Sequence, residues 1–294
     1  MGAKYELRGD VAVITLDNPP VNGLGYDTRR EFSAGVDRAL ADPAIAAIVI
    51  TGAGKAFCAG MDLSVGGNVF GLDETLNPSL AELEQRWDDP VMVQRVRDTG
   101  GRVSLAVYEC RKPVIGAING AAVGIGATMT LPMDIRLAST EARIGFVFSR
   151  RGIVMEAASS WFLPRLVGPQ QALEWVYSGR VFDAAEAHAG RLVRSVLPPD
   201  QLLPEARKIA KEIVDNTSPV AVALMRQMVW RMMGADDPME AHKIDSRGIF
   251  ERGRSADVKE GVMSFLEKRA PKFPDKVSKD MPPYFPWWEE RGYK

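Results

Sequence analysis

The sequence is poor in the residues that build disulfides and metal sites. Its 294 residues include two cysteines, Cys58 and Cys110, and two histidines, His188 and His242. The cysteines form no CxxC pair, and the histidines lie far apart with no ligand spacing. This composition argues against a disulfide framework, a histidine-based metal site and a Ser-His triad. We therefore predict no metal ligands and a reducing compartment, the cytoplasm.

The sequence also lacks a charge excess and a long hydrophobic run. Lys and Arg number 37 and Asp and Glu 38, for a net charge of −1. No overall field favours nucleic acid or an anionic membrane, so an anionic ligand needs a local cluster of donors. The longest apolar run, 44–50, is too short to cross a bilayer. The first residues show no signal-peptide pattern. We expect neither a nucleic-acid nor a membrane partner.

The first 200 residues alternate buried strands with helices. Residues 5–16 are predicted to form a hairpin that turns at Gly9 and Asp10, because β-branched residues follow this pair. A helix is predicted over 27–40. Further strands are predicted at 45–51, 114–118 and 135–138. Continuous apolar strands alternating with helices predict an α/β fold with a mainly parallel sheet.

The chain divides into three predicted parts. Residues 1–200 form the α/β core, 201–269 a helical region, and 270–294 a tail rich in proline and aromatic residues. The tail is predicted to be an extended arm packed on this subunit or a neighbour, with a disordered tail as the alternative. Within the core, residues 62–101 are the least regular, and a charged helical stretch is predicted over 78–98. Such long insertions often serve as lids.

Two glycine-rich turns, 55–63 and 118–127, each follow a buried strand. Such turns expose backbone N–H groups that bind developing negative charge. The first is not a P-loop, since Ala56 stands where Ser or Thr is required. The second lacks the third glycine of a dinucleotide fingerprint, since Met129 stands there. For either turn alone, a simple connection between elements is the default interpretation.

Together, the two turns resemble those of the enoyl-CoA hydratase/isomerase (crotonase) family. The resemblance rests on Phe57-Cys58-Ala59-Gly60-Met61-Asp62, the turn 119–126, the strand 134–138, the opening segment 16–24 and the C-terminal segment 260–269. It extends from about residue 5 to 272. It implies a spiral core of repeated ββα units with a C-terminal helical region that forms homotrimers, often paired into hexamers.

The resemblance also implies roles for individual residues. The N–H groups of Met61 and Ile125 would form an oxyanion hole for the enolate of an acyl-CoA thioester, the substrate class of fatty-acid metabolism. CoA would enter as part of the substrate, with no separate cofactor. The predicted binding residues are Ala59, Gly60, Met61, Asp62, Leu63, Gly126, Phe265 and Lys268. Phe265 and Lys268 match positions that line the CoA nucleotide site, often from an adjacent subunit; the alternative for Lys268 is a solvated helix face.

The two glutamates used by the family's hydratases are replaced by Thr128 and Phe148. Glu156 instead matches the catalytic glutamate of the isomerase branch, although Met155 replaces the usual proline. One carboxylate can remove the C2 proton of a 3-enoyl thioester and return it at C4. Apolar neighbours would raise its pKa.

Other interpretations remain open at this stage. Glu156 could instead be a charge at the start of a helix over 157–166. Acids of the insertion, namely Asp62, Glu82, Glu84, Asp88 and Asp89, could supplement Glu156. The leading hypothesis is an enoyl-CoA isomerase. The alternatives are an enoyl-CoA hydratase with a non-standard acid and a non-catalytic acyl-CoA-binding scaffold.

Overall fold

The computed structural model describes residues 2–62 and 78–293. Ten strands are found in this part of the chain, and they form two sheets. The strands are β1 (Ala3–Arg8), β2 (Val11–Leu16), β3 (Ala47–Gly52), β4 (Ala56–Cys58), β5 (Val114–Ile118), β6 (Ala121–Val123), β7 (Ile135–Ser139), β8 (Arg143–Gly145), β9 (Val181–Asp183) and β10 (Ser195–Leu197).

The larger sheet has the order β1-β2-β3-β5-β7-β10. Only β1 runs antiparallel within it, paired with β2 through the predicted turn at Gly9 and Asp10. The smaller sheet has the order β4-β6-β8-β9, and β9 alone is antiparallel there. The predicted α/β fold with a mainly parallel sheet is confirmed.

Twelve α-helices are found in the described residues. They are α1 (Tyr26–Ala41), α2 (Leu80–Gln85), α3 (Pro90–Arg95), α4 (Thr99–Glu109), α5 (Ile125–Thr128), α6 (Ser159–Val167), α7 (Pro169–Ser178), α8 (Ala184–Ala189), α9 (Pro199–Asn216), α10 (Pro219–Met232), α11 (Pro238–Arg252) and α12 (Ala256–Leu266). No described helix has the length and apolar character needed to cross a bilayer.

The large sheet is covered by helices on both faces. Along β2 and β3, successive apolar side chains point to opposite faces, as expected for a pleated strand. One set packs with Phe32 and Val36 of α1. The other packs with Leu202, Ala206 and Ile209 of α9. Burial on both faces is why these strands are continuously apolar in sequence.

Several predicted helix bounds differ from the structure. The charged stretch 78–98 forms two short helices, because Asp89 caps a new helix whose first residue is Pro90. Helix α12 ends at Leu266, three residues before the end of the helical region predicted over 201–269. The glycine-rich turn 118–127 contains the one-turn helix α5. Residues 63–77 of the insertion lie outside the described residues.

The tail lies on its own subunit in this structure. Its Asp275 is 3.0 Å from Arg252 of α11. Further on, the Arg231 guanidinium of α10 lies 3.9 Å from the ring centre of Trp288, and that of Arg97 lies 3.5 Å from the ring centre of Tyr293. These cation–π contacts join the end of the chain to α10 and to the segment that precedes α4.

Candidate active site

A cavity of about 600 Å³ lies beside the two glycine turns. It is bordered by residues from both turns, from the start of α4 and from the segment before α6. They are Ala59, Gly60, Met61, Asp98, Thr99, Gly100, Val123, Gly124, Ile125, Val147, Phe148, Arg151, Ile153, Val154, Met155 and Glu156. Most of these side chains are apolar. The cavity therefore offers a low-dielectric environment with a few polar groups, as small-molecule sites usually do.

The first glycine turn is held by hydrogen bonds of the two residues that precede Met61. The Leu24 N–H donates to the Gly60 carbonyl over 2.8 Å, and the Ala59 N–H donates to Val21 over 3.0 Å. Gly60 has φ +121°, in the region that favours glycine. Within the described part of the chain, no hydrogen bond uses the Met61 N–H. Met61 can therefore present a free donor to the cavity.

The second turn packs directly against the first. A Cβ on Gly126 would lie 1.8 Å from the Cys58 carbonyl oxygen, so only glycine fits. Ile125 begins α5, and its N–H is unused among the described residues. Ile125 and Met61 thus border the same cavity with unpaired backbone donors. The contact at Gly126 fixes the spacing of their loops.

Glu156 is a half-buried acid that borders this cavity. Its Oε1 accepts a hydrogen bond from the Thr128 hydroxyl over 2.6 Å. Burial raises the pKa of Glu156 to about 7, the Thr128 hydrogen bond lowers it, and the nearby Asp98 charge raises it. Near neutral pH, a carboxyl with this pKa is present both as the carboxylate and as the acid. It can therefore take a proton and give one back.

The alternative of a helix-end charge does not fit this geometry. Helix α6 begins at Ser159 with Ala158 as its N-cap, so Glu156 precedes the helix. Its carboxyl contacts Thr128 of α5 instead of the first N–H groups of α6.

The backbone next to Glu156 adopts a sharp left-handed turn. Ala157 and Ala158 have φ of 57° and 54°. Such conformations cost non-glycine residues on the order of 1–3 kcal/mol each and persist only where the surroundings fix them. Ser159 fixes one side, since its N–H and hydroxyl donate to the Glu156 carbonyl over 2.9 and 2.6 Å. This contact explains the serine in the Glu-Ala-Ala-Ser pattern.

The start of α4 forms the wall of the cavity that lies against the Glu156 carboxyl. A Cβ on Gly100 would lie 2.3 Å from Glu156 Oε2 and 2.7 Å from Ile125 Cδ1, so this wall needs glycine. Asp98 caps the helix and also borders the cavity. Neither Gly100 nor Asp98 was predicted as a site residue from the sequence. The order Asp-Thr-Gly-Gly signals a helix cap, but nothing in it signals closeness to a residue almost 60 positions later.

The structure brings together part of the predicted binding set. Ala59, Gly60, Met61, Ile125 and Glu156 border the cavity. Gly126 is buried behind its wall.

The other predicted residues lie elsewhere or outside the described part. Asp62 lies against Gly23 and Gly25, and Leu63 falls outside the described residues. Phe265 is 81% exposed on α12 and borders a separate groove with Val262 and Leu266. Lys268 follows that helix. The nucleotide-site role of Phe265 and Lys268 stays a prediction.

The acids Glu82, Glu84, Asp88 and Asp89 do not border the cavity. They lie on or beside α2 and α3, where Glu82 and Asp89 bind the helix starts. The hydratase positions are both buried: Thr128 bonds Glu156, and Phe148 contributes an aromatic ring to the wall. Apart from Glu156, the one carboxylate that borders the described cavity is therefore Asp98.

Paired backbone donors and a half-buried acid in an apolar cavity are features expected of enzyme sites that stabilise an enolate or an acyl-transfer intermediate. Comparison with known proteins makes this specific. Residues 6–276 match the enoyl-CoA hydratase/isomerase family. The chain belongs to this family, and the predicted resemblance is confirmed.

Individual relatives agree with the family. The chain is 42% identical to the enoyl-CoA hydratase ACTT3 of Alternaria alternata over 80% of its length and 73% of that protein. It is 30% identical to the 1,2-epoxyphenylacetyl-CoA isomerase of Escherichia coli over 90% of its length and 95% of that protein. A crystal structure of a probable enoyl-CoA hydratase/isomerase from Mycobacterium abscessus matches with a TM-score of 0.77 at 30% identity, covering 92% of this chain and 98% of that one. The relatives thus include a protein named as a hydratase and one named as an isomerase.

Proposed function

We propose that this protein shifts the double bond of an enoyl-CoA thioester, with Glu156 as the single proton-transfer group. The observation that carries the proposal is the Glu156 carboxyl, which is half-buried at the cavity and accepts a hydrogen bond from Thr128 over 2.6 Å. Its desolvation raises the pKa to about 7. The carboxylate removes a proton from C2 of a 3-enoyl thioester. The resulting acid returns that proton to C4, which leaves a 2-enoyl thioester.

The negative charge formed between these steps needs stabilisation. When the C2 proton leaves, charge develops on the thioester oxygen. The N–H groups of Met61 and Ile125 would donate to that oxygen. Removing one such donor from an oxyanion hole costs about 10²–10³-fold in turnover. Because both donors are backbone groups, the side chains at these two positions are free to shape the acyl pocket.

We expect hydration to be slow because of the side chains at the two hydratase positions. Water addition requires one group to activate water and another to protonate the enolate. Thr128 is occupied with Glu156, and Phe148 presents a ring that can neither orient nor deprotonate water.

Hydration is the second candidate, because Asp98 supplies another carboxylate beside Glu156. Its Oδ1 and Oδ2 accept hydrogen bonds from the Gly101 and Ala157 N–H groups. Both oxygens of Asp98 are thus already bonded to backbone N–H groups, so the carboxylate is not free to orient water. We therefore rank hydration below isomerisation, although several relatives are named hydratases.

CoA binding and assembly belong to the same proposal. We expect the acyl chain in the apolar cavity, with CoA as part of the substrate and no further cofactor. Helices α11 and α12 expose Ile249, Phe250, Phe265 and Leu266. Association of three copies, or of two trimers, would cover such side chains and bring Phe265 and Lys268 towards a neighbouring cavity.

The test is to incubate the purified protein with a 3-enoyl-CoA and, separately, with a 2-enoyl-CoA. Double-bond migration and water addition are followed by chromatography and mass spectrometry. We expect migration to be at least tenfold faster than hydration, on the order expected from the lack of a second acid–base group. Faster hydration would support the second candidate. Tight thioester binding without either reaction would favour the scaffold.

A further inference from the structure

We propose that Asp98 is a positioning residue that holds Glu156 in place by joining the start of α4 to the peptide that follows Glu156. The inference rests on the proposed function of Glu156 and adds a residue that acts through it. Asp98 itself takes no proton from the substrate.

Both oxygens of Asp98 are committed to backbone donors. Oδ1 accepts from the Gly101 N–H over 3.0 Å, which caps α4. Oδ2 accepts from the Ala157 N–H over 2.6 Å, across a separation of 59 residues. One carboxylate therefore connects two segments that are distant in sequence and that form adjoining walls of the cavity.

The peptide held in this way is the one that sets the direction of Glu156. Ala157 and Ala158 are both in the left-handed region, so the Ala157 N–H points away from α6 and needs another acceptor. Ser159 holds the carbonyl side of Glu156. Asp98 holds the amide that follows. Without Asp98, this turn loses the bond that joins it to α4.

The start of α4 packs directly against the Glu156 carboxyl. A Cβ on Gly100 would lie 2.3 Å from Glu156 Oε2 and 3.2 Å from Asp98 Oδ1. Gly100 thus lets the helix approach the acid, and Asp98 fixes that approach. A rotation of α4 would move the wall that contacts Glu156 Oε2. Displacements of about 1 Å at a reacting group can cost roughly 10²-fold in rate.

Asp98 also acts on Glu156 through its charge. The charged side chains bordering the described cavity, besides Glu156, are Asp98 at the start of α4 and Arg151 of the turn Ser149–Arg151. The Cys58 thiol of β4 is buried, and burial raises its pKa to about 11, so it is neutral near pH 7. The Asp98 charge raises the pKa of Glu156. Losing that charge should move the rising limb of the pH–rate profile to lower pH.

The experiment compares Asp98→Ala with Asp89→Ala in the full-length protein. Asp89 is a matched control, because it also caps a helix in this region but does not border the cavity. We expect kcat to fall by roughly 10²-fold in Asp98→Ala, with KM within about threefold, since the cavity still binds the thioester. The pH midpoint should fall. Asp89→Ala should leave kcat, KM and the pH midpoint at their wild-type values.

A wild-type kcat and pH midpoint in Asp98→Ala would overturn the proposal. If that variant does not fold, Asp98→Asn tests the proposal with the same two measurements, kcat and the pH midpoint. It keeps one acceptor oxygen and removes the charge, so a lower midpoint and a smaller loss of kcat are expected. An unchanged midpoint and kcat in Asp98→Asn would contradict the inference.

A second measurement separates this inference from the proposed function. The Glu156 carboxyl is titrated by infrared spectroscopy of protein labelled with ¹³C-glutamate, with its band identified by loss in Glu156→Gln. Wild-type protein that is inactive in both assays would end the isomerase and hydratase proposals. The Asp98 inference would still be supported by a lower Glu156 midpoint in Asp98→Ala, and refuted by an unchanged one.

Discussion

The hydrogen bond between Thr128 and Glu156 makes a quantitative prediction about the pH dependence of turnover. Thr128→Val removes the hydroxyl that donates to Oε1 over 2.6 Å and keeps a β-branched side chain of similar size. A hydrogen bond to a charged group contributes about 1.5–3 kcal/mol. One pKa unit corresponds to about 1.4 kcal/mol, so the pKa of Glu156 should rise by roughly one to two units.

The direction of the effect on rate follows from the role of the base. The carboxylate must be ionised to take the C2 proton, so kcat/KM rises with pH through the pKa of Glu156. A starting value of about 7 means that about half of the wild-type molecules are ionised at pH 7. A rise of one to two units lowers that fraction to roughly 1–10%. Turnover at pH 7 should fall by roughly 5- to 50-fold and recover at high pH.

The assay is kcat/KM against pH for wild type, Thr128→Val and Thr130→Val. Thr130 is a matched control, because it is buried two residues away and its hydroxyl donates to the Ala127 carbonyl over 2.7 Å. It does not bond Glu156, so its midpoint should equal that of wild type. A folded Thr128→Val protein with an unshifted midpoint would refute the assignment of this limb to Glu156.

Three further outcomes are expected. Gly126→Val, and similarly Gly60→Val, should lower turnover by roughly 10²-fold or more in folded protein, because the two donor loops can no longer approach each other. Unchanged rates in folded protein would reject the oxyanion hole. Deleting residues from Ala270 should weaken assembly and lower the thermal midpoint, as checked by light scattering and calorimetry, since the tail contacts Arg231 and Arg97; a monomeric full-length protein would contradict the assembly. Arg226→Ala should lower the free energy of unfolding, measured with denaturant, by about 3–5 kcal/mol, because it removes the ion-pair partner of the partly buried Asp134 carboxylate. A decrease below about 1 kcal/mol would argue against this role of the ion pair.

The sequence contains most of the information about the elements and the two turns. Apolar runs such as 114–118 coincide with β5 because strands buried on both faces need no polar alternation. The close contact at Gly126 explains why a glycine stands in the second turn. Glu156 could be found because its serine partner is local, only three residues away.

The parts that sequence reasoning missed depend on long-range contacts. Asp98 carries a cap signal that any helix start carries, and its second bond reaches Ala157 across 59 residues. The donation of the Thr128 hydroxyl to Glu156 is likewise a contact across 28 residues that no local pattern predicts. The break between α2 and α3 was missed because the helical periodicity hid a second cap at Asp89.

The measurement that tests the central claim most directly is turnover of a 3-enoyl-CoA by wild type and Glu156→Gln. The amide keeps the shape of the carboxyl and removes the base. Turnover should fall by about 10²–10⁴-fold, the usual contribution of general base catalysis, while thioester affinity and thermal midpoint stay near those of wild type. Full activity in Glu156→Gln would contradict the account and remove Glu156 from the reaction.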